Sequence, residues 1–193
     1  PSWYMWPQAF EKFFEEFGED ASDYLELKQL DPSYRVFFDD GEIIDISSDI
    51  EKNYAIFDKL EENGAEKLRL YLEVCKKQYD IAMDGFVYRT YNSIFDFFTP
   101  SMVANGLRLK AFSNYHKGVK KYFKNYKAQK LLEWITVILG GDPRNVPGMY
   151  CMMSYLDHHH GIYYPKGGMN GLAQKIYEIA LENGVKFKFN EAV

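Results

Sequence analysis

The stretch from residue 163 to residue 193 constrains the fold more than any other part of the sequence. It starts with two tyrosines, a proline and a pair of glycines. Apolar residues then recur at the spacing of a buried helix face: Leu172, Ala173, Ile176, Ile179 and Ala180. Asn183 and Gly184 supply a helix stop, and the alternation from residue 185 onward is that of a strand with one buried face. The pattern predicts a turn, a helix and a strand in succession, a common unit of α/β nucleotide-binding sheets.

The preceding residues predict a mostly helical fold. Apolar residues at helical spacing, with capping residues and glycine stops, indicate helices over residues 7–17, 21–30, 49–63, 65–83, 100–123, 131–139 and 147–156. Residues 34–38 and 43–46 flank an Asp-Gly turn, a hairpin signal because glycine supplies the positive φ. The predicted fold class is therefore α+β, mostly helical with a small antiparallel sheet, followed by the helix-strand piece.

Composition narrows the classes of function. Aromatic residues make up 18% of the chain, which suits either an aromatic core or the wall of a site for a long apolar ligand. A net charge of −5 argues against nucleic acid as a partner, because phosphate binding needs a clustered basic surface. Cys75 and Cys151 lie in no C-x-x-C motif, which fits buried thiols in a reducing compartment. No apolar run is long enough to span a bilayer.

Four sequence blocks occur in the order found in one known family. They are residues 1–7 (PSWYMWP), 30–37 (LDPSYRVF), 139–143 (LGGDP) and 163–169 (YYPKGGM). With these blocks the chain resembles the carotenoid (phytoene) desaturases of the flavin amine oxidase superfamily, over essentially its whole length.

The resemblance implies a cofactor and a domain division. Members of the family bind FAD through a strand, a G-x-G-x-x-G turn and a helix, and no such motif occurs in this sequence. The chain is therefore interpreted as an internal portion of a longer enzyme. Residues 1–160 are assigned to a helical substrate-binding domain and residues 161–193 to a partial return into a Rossmann-like FAD-binding domain. FAD is expected in the intact enzyme, whereas this portion alone is expected to bind it weakly or not at all and to be inactive.

The resemblance also implies site residues. It places Ser2, Trp3 and Tyr4 near the reacting end of a substrate tunnel, although the same aromatic cluster could simply cap the first helix. Met149, Met152 and Tyr155 are expected to border the substrate cavity, where adaptable side chains suit an apolar ligand. Gly167, Gly168 and Val193 are the candidates for contact with FAD, with a plain helix-start turn as the alternative for the glycines. No catalytic acid or base is assigned.

Two charged or polar runs have competing interpretations. The three consecutive histidines from His158 to His160 do not share one helix face, so they are predicted to lie at a surface or turn and not to bind metal. Lysines and arginines accumulate over residues 100–130, where they form either a solvated face or a surface that docks on an anionic membrane. The cysteine usage fits a cytoplasmic protein, and the resemblance implies peripheral association with a membrane.

The leading functional hypothesis is an FAD-dependent desaturase that converts C–C to C=C in a long apolar polyene. One alternative is a sister FAD oxidoreductase of the carotenoid isomerase, retinol saturase or amine oxidase type. Another is a non-catalytic module that binds lipid or a partner protein, because a fold alone does not fix a function. Pairing of the terminal strand with a second copy of the chain would make a homo-oligomer.

Overall fold

Helices make up most of the fold, and the predicted fold class is confirmed. The computed structural model describes residues 3–108 and 113–191. The α-helices are α1 (Pro7–Glu15), α2 (Ala21–Tyr24), α3 (Ile50–Leu60), α4 (Gly64–Ala82), α5 (Pro100–Arg108), α6 (Tyr115–Lys120), α7 (Tyr126–Glu133), α8 (Met152–Tyr155) and α9 (Gly168–Glu182). Tighter 3₁₀ turns cover Ile94–Phe98, Trp134–Leu139 and Gly148–Cys151, and wider π turns cover Met83–Val87 and Leu156–His160. Within the described ranges, no helix combines the length and apolar character needed to cross a bilayer.

Two small antiparallel sheets accompany the helices. The predicted hairpin is confirmed as β2 (Tyr34–Phe37) paired with β3 (Ile43–Ile46). Its turn contains Gly41 at a φ of 86°, the left-handed value that favours glycine. The second sheet pairs β1 (Leu27–Gln29) with β4 (Tyr163–Pro165). It ties the early chain to the start of α9.

Local capping residues position the starts of several helices. Pro7 occupies the first turn of α1, where its missing N–H costs no hydrogen bond. Asp20 caps α2 by accepting from the Ser22 backbone N–H at 2.8 Å, and Asp49 caps α3 by accepting from Glu51 N–H at 3.0 Å. These contacts involve residues close in sequence, which is why the sequence alone predicts them.

Three predictions of secondary structure are wrong, and the helices predicted over residues 131–139 and 147–156 consist in part of 3₁₀ or π turns. The helix over residues 21–30 ends at Tyr24, because residues 27–29 pair with a strand far along the chain. The single helix over residues 100–123 is split into α5 and α6, and Asn114 caps α6 by accepting from Lys117 N–H at 2.9 Å. Residues 185–191 form no strand and are exposed, with Phe187 against Tyr177 at 4.5 Å between ring centroids. The remainder of the predicted strand lies outside the described residues.

The buried apolar residues form two clusters. The larger cluster draws on the hairpin and on α3, α4, α6 and α7; it includes Ile46, Phe57, Leu68, Phe123 and Leu131. The smaller cluster joins the N-terminal segment to α9 through Tyr4, Phe14, Leu25, Leu172 and Ile179. The division into domains at residues 1–160 and 161–193 stays a prediction. The smaller cluster therefore places the N-terminal segment beside α9.

Candidate apolar ligand groove

An apolar groove of about 530 Å³ opens where the N-terminal segment meets the later helices. It is lined by Trp3, Met5, Trp6, Phe10, Val137, Ile138, Met153, Leu156 and Met169. None of these side chains carries a charge, and the lining consists of aromatic, thioether and aliphatic groups. Such a lining suits a long apolar ligand and provides no partner for an ion.

A larger cavity of about 650 Å³ lies near Tyr4, but its chemistry differs. Glu11, Glu15, Glu19 and Asp20 contribute to its wall. Carboxylates in a wall disfavour an apolar ligand, since they would lose their hydration without gaining a polar partner. The smaller, uncharged groove is therefore the better candidate site.

The N-terminal wall of the groove is held by a short backbone pairing. Tyr163 N–H donates to the Tyr4 carbonyl at 2.9 Å, and Tyr4 N–H donates to the Tyr163 carbonyl at 3.2 Å. Trp6 then adopts a left-handed φ of 62° just before α1. This conformation is unfavourable for a bulky residue and is found mainly where the surrounding structure imposes it. The turn at Trp6 separates Trp3 and Met5 from Phe10, so that both sides of the turn line the groove.

The part of the wall that contains Met153 and Leu156 is held by buried hydroxyl groups. Ser154, between the groove residues Met153 and Leu156, lies 2.8 Å from the Tyr115 hydroxyl and 3.3 Å from the Tyr71 hydroxyl. The Tyr115 hydroxyl in turn donates to the Leu132 carbonyl at 2.7 Å. All three hydroxyls are buried and paired, so the network fixes α8 against the larger core.

Behind this wall lies a buried polar cluster that the sequence does not reveal. The Tyr34 hydroxyl donates to Asp157 Oδ2 at 2.8 Å, and Trp134 Nε1 lies 2.6 Å from the Tyr34 hydroxyl and 3.2 Å from Asp157 Oδ2. Burial raises the pKa of Asp157 to about 7, although both hydrogen bonds act to lower it. Burial lowers the pKa of the adjacent His158 to about 4. Both side chains are therefore mainly neutral in a weakly acidic solution.

The structure places Trp3 in the groove and Tyr4 beside it. Trp3 is 40% exposed and contacts Trp134 edge to face at 5.0 Å between ring centroids. Tyr4 is buried against Phe10 at 4.5 Å, and burial raises its pKa to about 12. Ser2 lies outside the described residues. The roles of Trp3 and Tyr4 in substrate binding stay predictions.

The other residues predicted to contact substrate are neighbours, along the chain, of residues that line the groove. Met153 and Leu156 line the groove, whereas Met149, Met152 and Tyr155 do not contribute to it. The local helix type explains this difference. The chain passes from a 3₁₀ turn through α8 into a π turn, and these three helix types place different residues on the same face. Tyr155 instead stacks on His159 at 4.7 Å between ring centroids. Whether these three residues contact a substrate stays a prediction.

The histidine run was predicted to lie at a surface or a turn; it forms part of a π turn, but His158 is not at the surface. His159 is exposed and His160 lies 3.2 Å from Gln8 Nε2 through its Nδ1, but His158 is only 2% exposed. The wide π turn directs His158 and Asp157 toward the core. Within residues 3–108 and 113–191, no group of three or more His, Cys, Asp or Glu side chains is arranged to hold a metal ion.

The predicted cofactor glycines form the turn that starts α9. Gly167 and Gly168 have φ values of 87° and 78°, which other residues rarely adopt. A Cβ at Gly167 would meet no atom within 4 Å, and no side chain caps the helix N-terminus. At Gly168 a Cβ would lie 3.2 Å from the Tyr164 hydroxyl, so the open space is on the Gly167 side of the turn. An uncapped helix start with space at Gly167 fits an approach by a polar part of FAD. A simple helix-start turn explains the same geometry, and Val193 lies outside the described residues.

Comparison with known proteins supplies the family. Residues 2–193 match the sequence pattern of the flavin containing amine oxidoreductases. The chain is 36% identical, over 194 aligned positions, to a carotenoid 3,4-desaturase of Haloarcula japonica. It is 31% identical to a 4,4'-diapophytoene desaturase (4,4'-diaponeurosporene-forming) of Staphylococcus haemolyticus, and 29% identical to the protein of that name in Staphylococcus aureus. All of this chain is covered, but only 39%, 38% and 38% of the respective relatives. On this match over residues 2–193, the chain belongs to the flavin containing amine oxidoreductase family.

Proposed function

We propose that this chain forms the substrate-binding part of an FAD-dependent carotenoid desaturase, which oxidises C–C to C=C in a long apolar polyene. The observation that carries the proposal is the groove of about 530 Å³ whose lining side chains are all uncharged. The desaturase names of the relatives support a polyene as the ligand. The groove would gain affinity by removing apolar surface from water, at about 25 cal/mol per Å².

The residues of the groove bind and orient the ligand and do not exchange protons with it. Trp3 and Trp6 provide flat apolar walls, and Met5, Met153 and Met169 adapt to the shape of the chain. FAD, if bound, would supply the redox chemistry, because an oxidised flavin can take up both hydrogens, a hydride and a proton, that the polyene would lose when C–C becomes C=C. Gly167 and Gly168 would hold part of the cofactor through their backbone N–H groups, and Val193 would meet it from the end of the chain.

Two other functions remain as alternatives. A sister FAD oxidoreductase, such as a carotenoid isomerase or retinol saturase, would use the same apolar groove. An amine oxidase is less compatible, because the lining offers no carboxylate for an ammonium group. A module that only binds lipid or a partner protein would use the groove without FAD.

The test uses the full-length protein that contains this chain, with a phytoene-type polyene in liposomes. We expect bound flavin in the absorbance spectrum and new long-wavelength polyene bands after incubation. Flavin without new bands would favour a sister oxidoreductase, and absence of flavin would refute the enzyme proposal. The Trp3→Ala variant should slow band formation roughly tenfold, since loss of an aromatic wall costs about 1.4 kcal/mol or more. Phe37→Ala is the matched control, because Phe37 is an exposed aromatic residue outside the groove.

We also propose that the protein is cytoplasmic and docks peripherally on membranes from which a polyene is taken. Support comes from the turn before α5, where Phe95, Ile94 and Phe98 are 77%, 70% and 69% exposed. Lys117, Lys120, Lys121 and Lys124 are exposed on the following segment, within the predicted basic region 100–130. Each basic residue near an anionic surface contributes about 1 kcal/mol. The full-length protein should float with anionic liposomes, and Phe95→Ser should reduce flotation if the proposal is correct.

A further inference from the structure

The two cysteines of the chain contact each other, although they are distant in sequence. Cys75 lies on α4 and is completely buried, whereas half-buried Cys151 ends the Gly148–Cys151 3₁₀ turn. The Cys75 S–H donates a hydrogen bond to the Cys151 sulfur. Two thiols in contact can be joined as a disulfide, in which the sulfur atoms lie about 2 Å apart. The pair is therefore a candidate site of covalent modification.

Contacts on both sides of the pair hold the two segments together. The hydroxyl of Tyr71, one turn before Cys75 on α4, lies 3.3 Å from Ser154 Oγ in α8. The ring of Tyr79, one turn after Cys75, lies 5.4 Å from the ring of Tyr155, also in α8. Since α8 begins directly after the other cysteine, these contacts fix the approach of the two thiols independently of the thiols themselves.

The two thiols differ in their access to solvent. Cys151 lines a cavity of about 380 Å³, whereas Cys75 has no exposed surface. Lys117 and Lys121 of α6 line the same cavity. Partial exposure and positively charged surroundings are the setting in which cysteines react, whereas fully buried cysteines are inert toward solutes. A small oxidant that enters the cavity therefore meets Cys151 first.

We propose that Cys151 and Cys75 form an oxidation site for small hydroperoxides, in which Cys151 attacks the peroxide and Cys75 then closes a disulfide. In the first step the Cys151 sulfur forms an S–O bond and the O–O bond breaks. Cys151 becomes a sulfenic acid, and hydrogen peroxide is reduced, with the released oxygen leaving as water. In the second step the Cys75 sulfur attacks the sulfenic sulfur, and the departing hydroxyl takes the Cys75 proton as a second water.

The disulfide would tether α4 to the segment that carries Met153, a residue of the groove wall. The 3₁₀ turn that ends at Cys151 is the side able to move, because its hydrogen bonds have poorer geometry than those of α4. In a reducing compartment such a bond is transient and is reversed by thiols. The pair lies outside the groove lining, so the inference does not rest on the proposed function.

The test treats the full-length protein that contains this chain with hydrogen peroxide, blocks the remaining thiols with iodoacetamide, and identifies the peptides by mass spectrometry. In the wild type, a peptide pair that links Cys75 to Cys151 should form, lighter by two hydrogen atoms than its reduced halves, and dithiothreitol should reverse it. In C75S, Cys151 should stop at the sulfenic acid, which dimedone traps. In C151S, the matched variant, Cys75 should oxidise roughly tenfold more slowly than in the wild type or not at all.

Two results would overturn the inference. One is a wild-type protein in which no linked peptide forms, whether Cys151 stays reduced or is oxidised alone. The other is a C151S variant in which Cys75 is oxidised as fast as in the wild type, since Cys151 would then not be the thiol that reacts first. The linked peptide is measured on the wild type, so a variant that fails to fold leaves that result decisive. In urea both cysteines should react at similar rates, because the difference in access is lost.

Discussion

Replacing Asp157 or His158 singly should produce opposite changes in how stability depends on pH. Unfolded, Asp157 has its ordinary pKa of 3.8 and His158 its ordinary value of 6.5. Folded, the values are about 7 and about 4. From about pH 4 to 6.5 the pair therefore holds one proton in both states, and folding moves that proton from His158 to Asp157. The wild-type pair contributes almost no pH dependence in this range, because stability changes with pH only when the proton count differs.

In each single variant one of the two opposite pKa shifts is lost, so the remaining shift should make stability depend on pH. In H158F, Asp157 is ionised in the unfolded chain above pH 3.8 but stays protonated in the folded chain up to about pH 7. Its raised pKa should therefore lower stability as the pH rises, by up to about 4 kcal/mol. In D157N, His158 is protonated in the unfolded chain below pH 6.5 but stays neutral in the folded chain down to about pH 4. Its depressed pKa should lower stability as the pH falls, by up to about 3 kcal/mol.

The assay is urea unfolding followed by tryptophan fluorescence at pH values from 4 to 8, with each variant expressed as a difference from the wild type at the same pH. Other titrating groups then cancel. The two difference curves should have opposite slopes, and the D157N/H158F double variant should return to a nearly flat profile relative to the wild type. Flat curves for both single variants would show that the two groups keep their ordinary pKa values, and would refute the reasoning that burial without charged partners shifts them.

Three further predictions concern the core and the helix ends. In thermal denaturation, Gly64→Ala should destabilise the protein by about 3 kcal/mol or more, since a Cβ would lie 1.9 Å from the Phe57 carbonyl oxygen. In the same assay Gly118→Ala should stabilise the protein by about 1 kcal/mol, because Gly118 lies in open space on α6. Iodoacetamide should label half-buried Cys151 before Cys75, whose pKa is raised well above its ordinary value by burial and by a hydrogen bond with Cys151; equal labelling rates by mass spectrometry would contradict this. Asp20→Ala should cost about 1 kcal/mol, because α2 loses its capping oxygen, and an unchanged melting temperature would contradict it.

The sequence predicted those parts of the fold that depend on neighbouring residues. The hairpin follows from its Asp-Gly turn, and the starts of α1, α2 and α3 follow from Pro7, Asp20 and Asp49. The pairing of β1 with β4 was missed because each strand has only three residues and its partner is distant in the chain. A run that short has too little periodicity to separate a strand from a helix.

The candidate site was only partly predictable for a related reason. Trp3 was predicted as a site residue, and it lines the groove. For residues 147–156 an α-helical spacing was assumed, which selected Met149, Met152 and Tyr155. The residues of this segment that line the groove are Met153 and Leu156. The burial of His158 has no signal in a run of three polar residues. It depends on the π turn, which adds one residue to a helical turn and so rotates the following side chains. The contact between Cys75 and Cys151 likewise depends on tertiary packing alone.

The buried acid and the apolar groove have a common physical requirement, which is the exclusion of water. Nearby water would hydrate the charged form of Asp157 and bring its pKa back toward 3.8. It would also weaken the gain from burying the polyene that we propose as the ligand. Tyr34 and Trp134 both cover the Asp157 carboxyl with their rings and hold it in place with their polar atoms. A charged partner such as lysine would have held Asp157 more strongly, but it would have kept the carboxylate ionised behind an apolar wall. A neutral acid therefore lets this protein place a polar anchor next to an apolar groove without introducing a charge there.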